Sequence, residues 1–143
     1  MYKAGFTLLE VLIVLIIVGI LAALGLPGFT KAREMALDKE AIASLKLIRA
    51  AERIYRMEVG DYCRSAACSG NETLINQYLK LFLPTTNKRW NYKVDPAGTP
   101  SYFNAKAQRT TLPRPGGLSY NTWCITYNLD EPCNNTTCGW CSW

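Results

Sequence analysis

One carboxylate lies inside the longest apolar run of this chain. The run extends over 21 residues, from Phe6 to Leu26, and Glu10 is its only charged residue. About 20 apolar residues are enough for a helix to cross a bilayer, but a charged side chain in mid-membrane costs on the order of 2.5–3.5 kcal/mol on insertion scales. Such an acid predicts a functional site with a partner. Since the run contains no cation, the partner must come from another molecule or from processing of the chain.

The residues around Glu10 resemble the amino terminus of type IV pilins and type II secretion pseudopilins. The resemblance lies in Gly-Phe-Thr-Leu-Leu-Glu at positions 5–10, followed by an apolar stretch with Gly19, Pro27 and Gly28. It is close over residues 1–30 and general over residues 31–60, and beyond them it concerns only the overall plan. It implies the division of the chain into a leader (1–5), a transmembrane and assembly helix (6–29) and a globular head (30–143).

The resemblance also implies how the chain is processed. A prepilin peptidase would cut between Gly5 and Phe6, and Phe6 would then be N-methylated. Cleavage creates an α-amine on Phe6, which is the missing cation, and Glu10 would pair with that amine on a neighbouring subunit. The attraction between opposite charges is much stronger in a low dielectric than in water, so the pair would set the subunit register of a helical filament.

The helical pattern continues beyond the apolar run. Gly19, Gly25 and Pro27 are candidate points of flexibility, because proline kinks a helix and glycine loosens it. From Thr30 to Val59 one apolar stripe recurs at steps of three and four residues, which predicts a helix face packed on the head. The stripe consists of Leu37, Ala41, Leu45, Ile48, Ala51, Tyr55 and Val59.

The other faces of this helix carry the charged residues. They are Lys31, Arg33, Glu34, Asp38, Lys39, Lys46, Arg49, Glu52, Arg53 and Arg56. Leu47 and Ile54 lie off the main stripe and either face neighbouring subunits or widen the packed face. Gly60 is a suitable C-terminal stop, so the helix is expected to run from Phe6 to Val59.

The remainder predicts a small α+β head. Ser69 and Glu72 match a capping box for a short helix that ends at Leu83. Alternation predicts strands at Trp90–Val94, Ser101–Gln108 and Leu118–Tyr127, with a turn at Asp95–Gly98. The expected fold is therefore a long N-terminal helix packed on an antiparallel sheet of about three strands, with disulfide-tied loops.

Six cysteines follow the apolar run, and none lies in it. They are Cys63, Cys68, Cys124, Cys133, Cys138 and Cys141. An even number in a small exported domain favours disulfides; Cys63 and Cys68 are the nearest candidate pair, and the other pairings stay open. Two alternatives are a zinc site formed by the last four cysteines and a redox motif at Cys138 and Cys141. Trp140 and Trp143 are expected to cover a small core, and the alternative is that they are exposed contact residues.

The composition argues against an enzyme. The chain has no histidine and a net charge of +5, and it contains no phosphate-binding glycine loop. No cofactor or metal is predicted, and nucleic acid binding is neither supported nor refuted. In the type II secretion case the resemblance implies a calcium-binding C-terminal loop, but Asp130 and Glu131 are the only acids after Asp95, which makes a hard-cation site poor.

The resemblance implies that the protein is a non-enzymatic pilus subunit, and it also implies how the subunit reaches the filament. It would wait in the inner membrane as a single-pass protein with its N-terminus in the cytoplasm, and an assembly platform would draw it into a surface filament. Within the family the alternatives are the major pseudopilin of a periplasmic secretion pseudopilus and a minor pilin for DNA uptake. Outside it, the run is a secretory signal peptide or the simple anchor of a monomeric extracytoplasmic binding domain.

Overall fold

The computed structural model describes residues 5–63, 68, 70–96 and 102–141, with the side chains of residues 25–27, 96 and 116 excepted. Residues 1–4 of the expected leader, Ser69, Ser101 and Trp143 lie outside the described residues. The described chain contains a long helix, a short helix, a four-stranded sheet and a C-terminal segment tied by disulfides. The expected α+β class is thereby confirmed.

Helix α1 extends over Leu8–Val59. Its N-cap is Thr7, whose side chain accepts a hydrogen bond from the backbone N–H of Glu10. It ends at Gly60, which has φ 94° and donates its N–H to the carbonyl of Arg56. A residue without a Cβ enters this left-handed conformation at little cost, so the stop expected at Gly60 is found, while the helix starts two residues after Phe6.

The axis of α1 changes direction between two segments. Leu8–Leu24 and Gly28–Val59 meet at 42°. Among the described residues, no single straight helix is both long enough and apolar enough to span a membrane. The two segments meet these criteria of length and composition only when they are taken together as a bent pair. Gly19 lies within the first segment, whereas Gly25 and Pro27 belong to residues 25–27, whose side chains the structure does not describe. The flexibility assigned to these three residues therefore stays a prediction.

The sheet is antiparallel and follows chain order. Its strands are β1 (Trp90–Pro96), β2 (Phe103–Arg109), β3 (Thr122–Thr126) and β4 (Cys133–Asn134). The first three correspond to the strands expected from alternation, although β1 continues into the expected turn and β3 starts later. The fourth strand was not expected, because two residues are too short to show any alternation.

Helix α2 is shorter than its apolar pattern indicates. It extends over Glu72–Leu79, and its cap is Asn71 rather than Ser69, since the Asn71 side chain accepts from Leu74 N at 3.1 Å. The helix stops because Lys80 adopts a left-handed conformation with φ 55°. The Asn76 amide then bonds the backbone N–H and carbonyl of Leu83 at 2.7 and 2.8 Å, replacing the helical bonds that a longer helix would make.

The core lies between α1 and the sheet. Ala41, Leu45 and Ile48 of the predicted stripe are fully buried, whereas Val59 at its end is 60% exposed. Alternate residues of the strands complete the core, among them Trp90, Tyr92, Val94, Phe103, Ala105, Ala107 and Ile125. The charged residues of α1 depart from expectation, because four that were assigned to the outer faces are buried: Glu34, Asp38, Arg49 and Glu52.

All six cysteines form disulfides. Cys63 bonds Cys68, the pair expected from proximity, and the C-terminal segment is closed by Cys124–Cys141 and Cys133–Cys138. These bonds leave no thiolate for a zinc site and no dithiol at the Cys138–Cys141 motif. Trp140 is 42% exposed, so a large part of its side chain faces solvent, and its expected role in covering the core stays a prediction.

Glu52 is a carboxyl group inside the core. It is fully buried, and its Oε2 accepts a hydrogen bond from the backbone N–H of Cys63 at 2.9 Å. Its Oε1 has no hydrogen-bond partner among the described residues. Burial disfavours the charged form and raises the pKa of Glu52 to about 7, although the bond from Cys63 acts in the opposite direction. The folded protein therefore holds a proton that the unfolded chain releases near pH 4.5.

Glu52→Gln is expected to change how stability depends on pH. Because the folded pKa is raised, the wild-type protein loses stability as the pH rises from about 4.5 to 7, by at most about 3 kcal/mol. The variant keeps an acceptor for Cys63 and has no titrating group, so it should be more stable than wild type at pH 8 and similar at pH 4.5. Thermal unfolding of the full chain in detergent, followed by circular dichroism, measures this difference. Parallel pH profiles for the two proteins would contradict it, and Glu40→Gln, at an exposed position of α1, is the control.

Candidate functional site

The first segment of α1 is exposed on all sides. Every described side chain from Phe6 to Leu24 is solvent-accessible, with Leu8 at 84% and Phe6 at 82%. Contiguous apolar surface of this extent is characteristic of a site that contacts protein or membrane. The segment receives no cover from its own head, so it is the main candidate interaction surface.

Glu10 and Phe6 lie on the same side of this segment. Together with Val11, Val14 and Leu15 they line a shallow groove at the start of α1. The N-cap bond from Glu10 N to Thr7 Oγ1 measures 3.2 Å, which fixes the first turn and keeps Glu10 within it. A carboxylate in the first turn of a helix interacts favourably with the helix dipole. The structure thus brings together the two residues that the sequence marks for assembly, with Gly5 immediately before them.

A second, smaller apolar surface lies on the head. Leu47 and Ile54 of α1 are about half exposed, at 49% and 53%, and line an open groove with Tyr78 and Leu81 beside α2. The sequence left open whether Leu47 and Ile54 widen the packed face. Their exposure shows that they lie outside the core of their own head.

A buried charged cluster joins α1 to the sheet. The Glu34 carboxylate receives Arg109 Nη2 at 3.0 Å and Arg114 Nη2 at 3.3 Å, and all three residues are at most 6% exposed. Arg114 comes from the loop after β2, and Arg109 ends that strand. Burial alone raises the pKa of Glu34, but the hydrogen bonds and charges of Arg109 and Arg114 outweigh it and lower the pKa.

Asp38, one turn further along α1, extends this cluster. It accepts Arg114 Nη2 at 2.8 Å, the Tyr120 hydroxyl at 2.7 Å and the Trp123 indole N–H at 3.2 Å. Arg114 also lies over the ring of Tyr120, 4.8 Å from its centroid. The charges are therefore paired and hydrogen-bonded, as buried charges must be. The sequence carried one signal of this, since the like-charge step from Glu34 to Asp38 is unfavourable unless cations lie opposite.

The C-terminal loop places its two acids against α1. Arg49 Nη2 lies 2.7 Å from Asp130 Oδ1, and Lys46 Nζ lies 2.5 Å from Glu131 Oε1. The calcium site that the secretion resemblance implies needs six to eight oxygen ligands with net negative charge. The only acids of this loop already face cations, and no group of three or more potential metal ligands occurs in the described ranges. The residues do not fit a calcium site.

Comparison with known proteins identifies the N-terminal motif. Residues 1–26 match the family model of the prokaryotic N-terminal methylation motif. The type II secretion system core protein G of Pseudomonas aeruginosa is 32% identical over 113 residues, which cover 72% of this chain and 74% of that protein. No solved structure matches.

Two further relatives share shorter regions. The type IV major pilin protein PilA of Myxococcus xanthus is 33% identical over 93 residues, which are 65% of this chain and 37% of PilA. The competence protein ComGC of Halalkalibacterium halodurans is 42% identical over 57 residues, which are 40% of this chain and 56% of ComGC. This chain therefore matches less than two thirds of the length of either protein.

Glu34→Gln is expected to destabilise the head by about 3 kcal/mol or more, because it leaves the buried Arg109 without a counter-charge and leaves Arg114 with Asp38 alone. The loss should be largest near neutral pH. The lowered pKa of Glu34 means that its stabilisation is present above the unfolded pKa and disappears as the pH falls through the folded pKa. Thermal unfolding at pH 7 and below pH 4 tests both statements. Glu40→Gln, an exposed acid on the same helix, is the matched control, and equal melting temperatures for the two variants would contradict the expectation.

Proposed function

Since the chain belongs to the family of type IV pilins and type II secretion pseudopilins, we propose that it is the subunit of a type IV pilus-like filament. Members of this family are structural subunits that assemble as homo-oligomeric filaments. The observation that carries the proposal is the contrast between the two parts of the molecule. Leu8–Leu24 presents apolar side chains in every direction, whereas the head is closed by its own core and three disulfides.

Processing prepares the segment for assembly. A prepilin peptidase cuts after Gly5, and the new amino group of Phe6 is methylated. The methylated amine remains a cation and lies beside the apolar groove that Phe6 and Glu10 line. In the filament this amine pairs with Glu10 of a neighbouring copy, since the pair neutralises a carboxylate that would otherwise be costly in an apolar bundle.

The same segment holds the subunit in the inner membrane before assembly. Its N-terminus lies in the cytoplasm and its head outside, where disulfides form. The assembly platform then withdraws the apolar segment from lipid and packs it against other copies. Gly19, Gly25 and Pro27 let the helix adjust during this transfer, because glycine and proline weaken local helical bonding.

A secretion pseudopilus is the second candidate. Its support is that the protein G match covers most of both chains, whereas the PilA match covers 37% of PilA. Against it stand the C-terminal acids, which are paired with Lys46 and Arg49 and do not fit a calcium site. A monomeric membrane-anchored binding domain gives Glu10 no role, so the same experiments separate it from both filaments.

The mature protein is expected to begin at Phe6 and to carry one methyl group on its amino terminus. Top-down mass spectrometry of the native protein gives both facts in one measurement. A mature protein that begins at another residue, or that retains Met1, would contradict the proposed processing.

Glu10→Gln is expected to reduce filament yield by at least tenfold without changing the folded head, because it removes the carboxylate that pairs with the Phe6 amine. Electron microscopy of sheared cell-surface fractions measures the yield, and thermal unfolding of the purified chain reports the head. Glu40→Gln removes a carboxylate from an exposed position of the same helix and should assemble normally.

The location of the filaments separates the two candidates. Filaments in the sheared surface fraction support a pilus, and filaments confined to the periplasm support a pseudopilus. Normal assembly of Glu10→Gln in either place would contradict the role of Glu10.

A further inference from the structure

We propose that Arg49 and Lys46 of α1 fasten the C-terminal loop in the position where a bound cation would otherwise organise it, and that the head therefore folds independently of calcium. The loop, residues 127–132, connects β3 to β4 and contains Asp130 and Glu131. This inference concerns the head alone and does not depend on which filament the chain builds.

Arg49 is the central residue of this contact. Its side chain is only 10% exposed although it carries a full charge, and Asp130 Oδ1 accepts its Nη2 at 2.7 Å. Its Nε has no hydrogen-bond partner among the described residues. The counter-charge of this guanidinium in the described structure is the carboxylate of Asp130. The hydrogen bond and charge of Arg49, together with the charge of Arg53, lower the pKa of Asp130 and keep it ionised.

Lys46 and Glu131 form a parallel contact of a different kind. Their atoms lie 2.5 Å apart, but the side chains are 43% and 75% exposed. Exposed pairs of this type contribute little, because water screens them and two long side chains must be ordered. The two adjacent acids therefore offer a natural comparison. Both are exposed, Asp130 at 87% and Glu131 at 75%, but Asp130 pairs with a buried cation and Glu131 with an exposed one.

The remaining freedom of the loop is small. Cys124–Cys141 joins β3 to the C-terminal segment, and Cys133–Cys138 closes that segment just after the loop. Leu129 N donates to Thr126 O at 3.3 Å, which forms a turn at the beginning of the loop. The ion pairs act at its middle, where neither disulfide reaches. The loop is thus held at both ends by covalent bonds and at its centre by α1.

Calcium would have to displace these contacts. It requires several oxygen ligands with net negative charge, but Asp130 faces the charges of Arg49 and Arg53, and Glu131 faces Lys46. Asp95, the nearest preceding acid in the chain, is itself paired with Lys93 at 2.9 Å and Lys106 at 2.5 Å. Electrostatics at this loop therefore oppose the binding of a divalent cation.

The test compares melting temperatures of the full chain in detergent, in excess EDTA and in millimolar calcium chloride. Wild type should melt at the same temperature in both. Asp130→Asn should melt several degrees lower, because it leaves the buried Arg49 without a counter-ion, whereas Glu131→Gln should melt close to wild type. Asp130→Glu keeps the charge and should recover part of the loss, which distinguishes charge pairing from a general defect at this position.

Two results would overturn the proposal. A higher melting temperature in calcium, together with saturable terbium luminescence that Asp130→Asn abolishes, would show that the loop is a cation site. Equal melting of Asp130→Asn and wild type would show that Arg49 does not fasten the loop. If Asp130→Asn does not fold, the calcium comparison on wild type and the melting of Asp130→Glu still decide the question. Neither result bears on filament assembly, which the Glu10 variants test separately.

Discussion

The pairing of Glu34 and Asp38 with Arg109 and Arg114 determines where the head begins on α1. Two carboxylates one helical turn apart can be buried only if cations and hydrogen-bond donors lie opposite them. The end of β2 and the loop after it supply these groups. Residues of α1 that precede Glu34 are exposed throughout their described part. The cluster therefore divides one continuous helix into a part that serves as the spine of the head and a part that needs cover from outside the molecule.

This division explains how one helix can be stable in two environments, an apolar one at its N-terminal part and water around the head. The first segment, Leu8–Leu24, has apolar side chains in all directions and suits lipid or a bundle of identical helices, since both are apolar. The second, Gly28–Val59, carries charged residues on much of its outer side and needs water there, although Leu47 and Ile54 are also exposed. The helix axis changes direction by 42° where the exposed apolar segment meets the segment that carries the head. The sequence shows the same boundary as the end of the apolar run at Pro27.

The sequence predicts the parts of the fold that depend on periodic patterns. The apolar stripe located the packed face of α1 through Ala41, Leu45 and Ile48, and alternation located the first three strands. It did not predict that Glu34, Arg49 and Glu52 are buried, because periodicity assigns charged residues to the solvent side and says nothing about a partner distant in the chain. The position of Glu10 near Phe6 follows only in part from their four-residue spacing, because Phe6 precedes the start of α1.

The predicted end and cap of the short helix α2 were wrong for a different reason. Helix α2 ends at Leu79 because the Asn76 side chain takes over the backbone groups of Leu83, and a pattern of apolar residues cannot show that competition. Asn71 displaced Ser69 as the cap although the Ser-x-x-Glu pattern is sound. In both cases the hydrogen bonds of one side chain, two for Asn76 and one for Asn71, outweigh a pattern of several residues.

The buried charges of α1 also restrict how the helix lies on the sheet. A stripe of alanine, leucine and isoleucine can find apolar contacts in more than one position, because the hydrophobic effect is non-directional. A shift of one turn, about 5.4 Å, would separate Glu34 from Arg109 and Arg49 from Asp130. These pairs lie near the two ends of the packed face, so a shift would break both at once and leave several charges buried without partners. The ionic contacts therefore fix the register of α1, while the apolar core supplies the larger part of the burial.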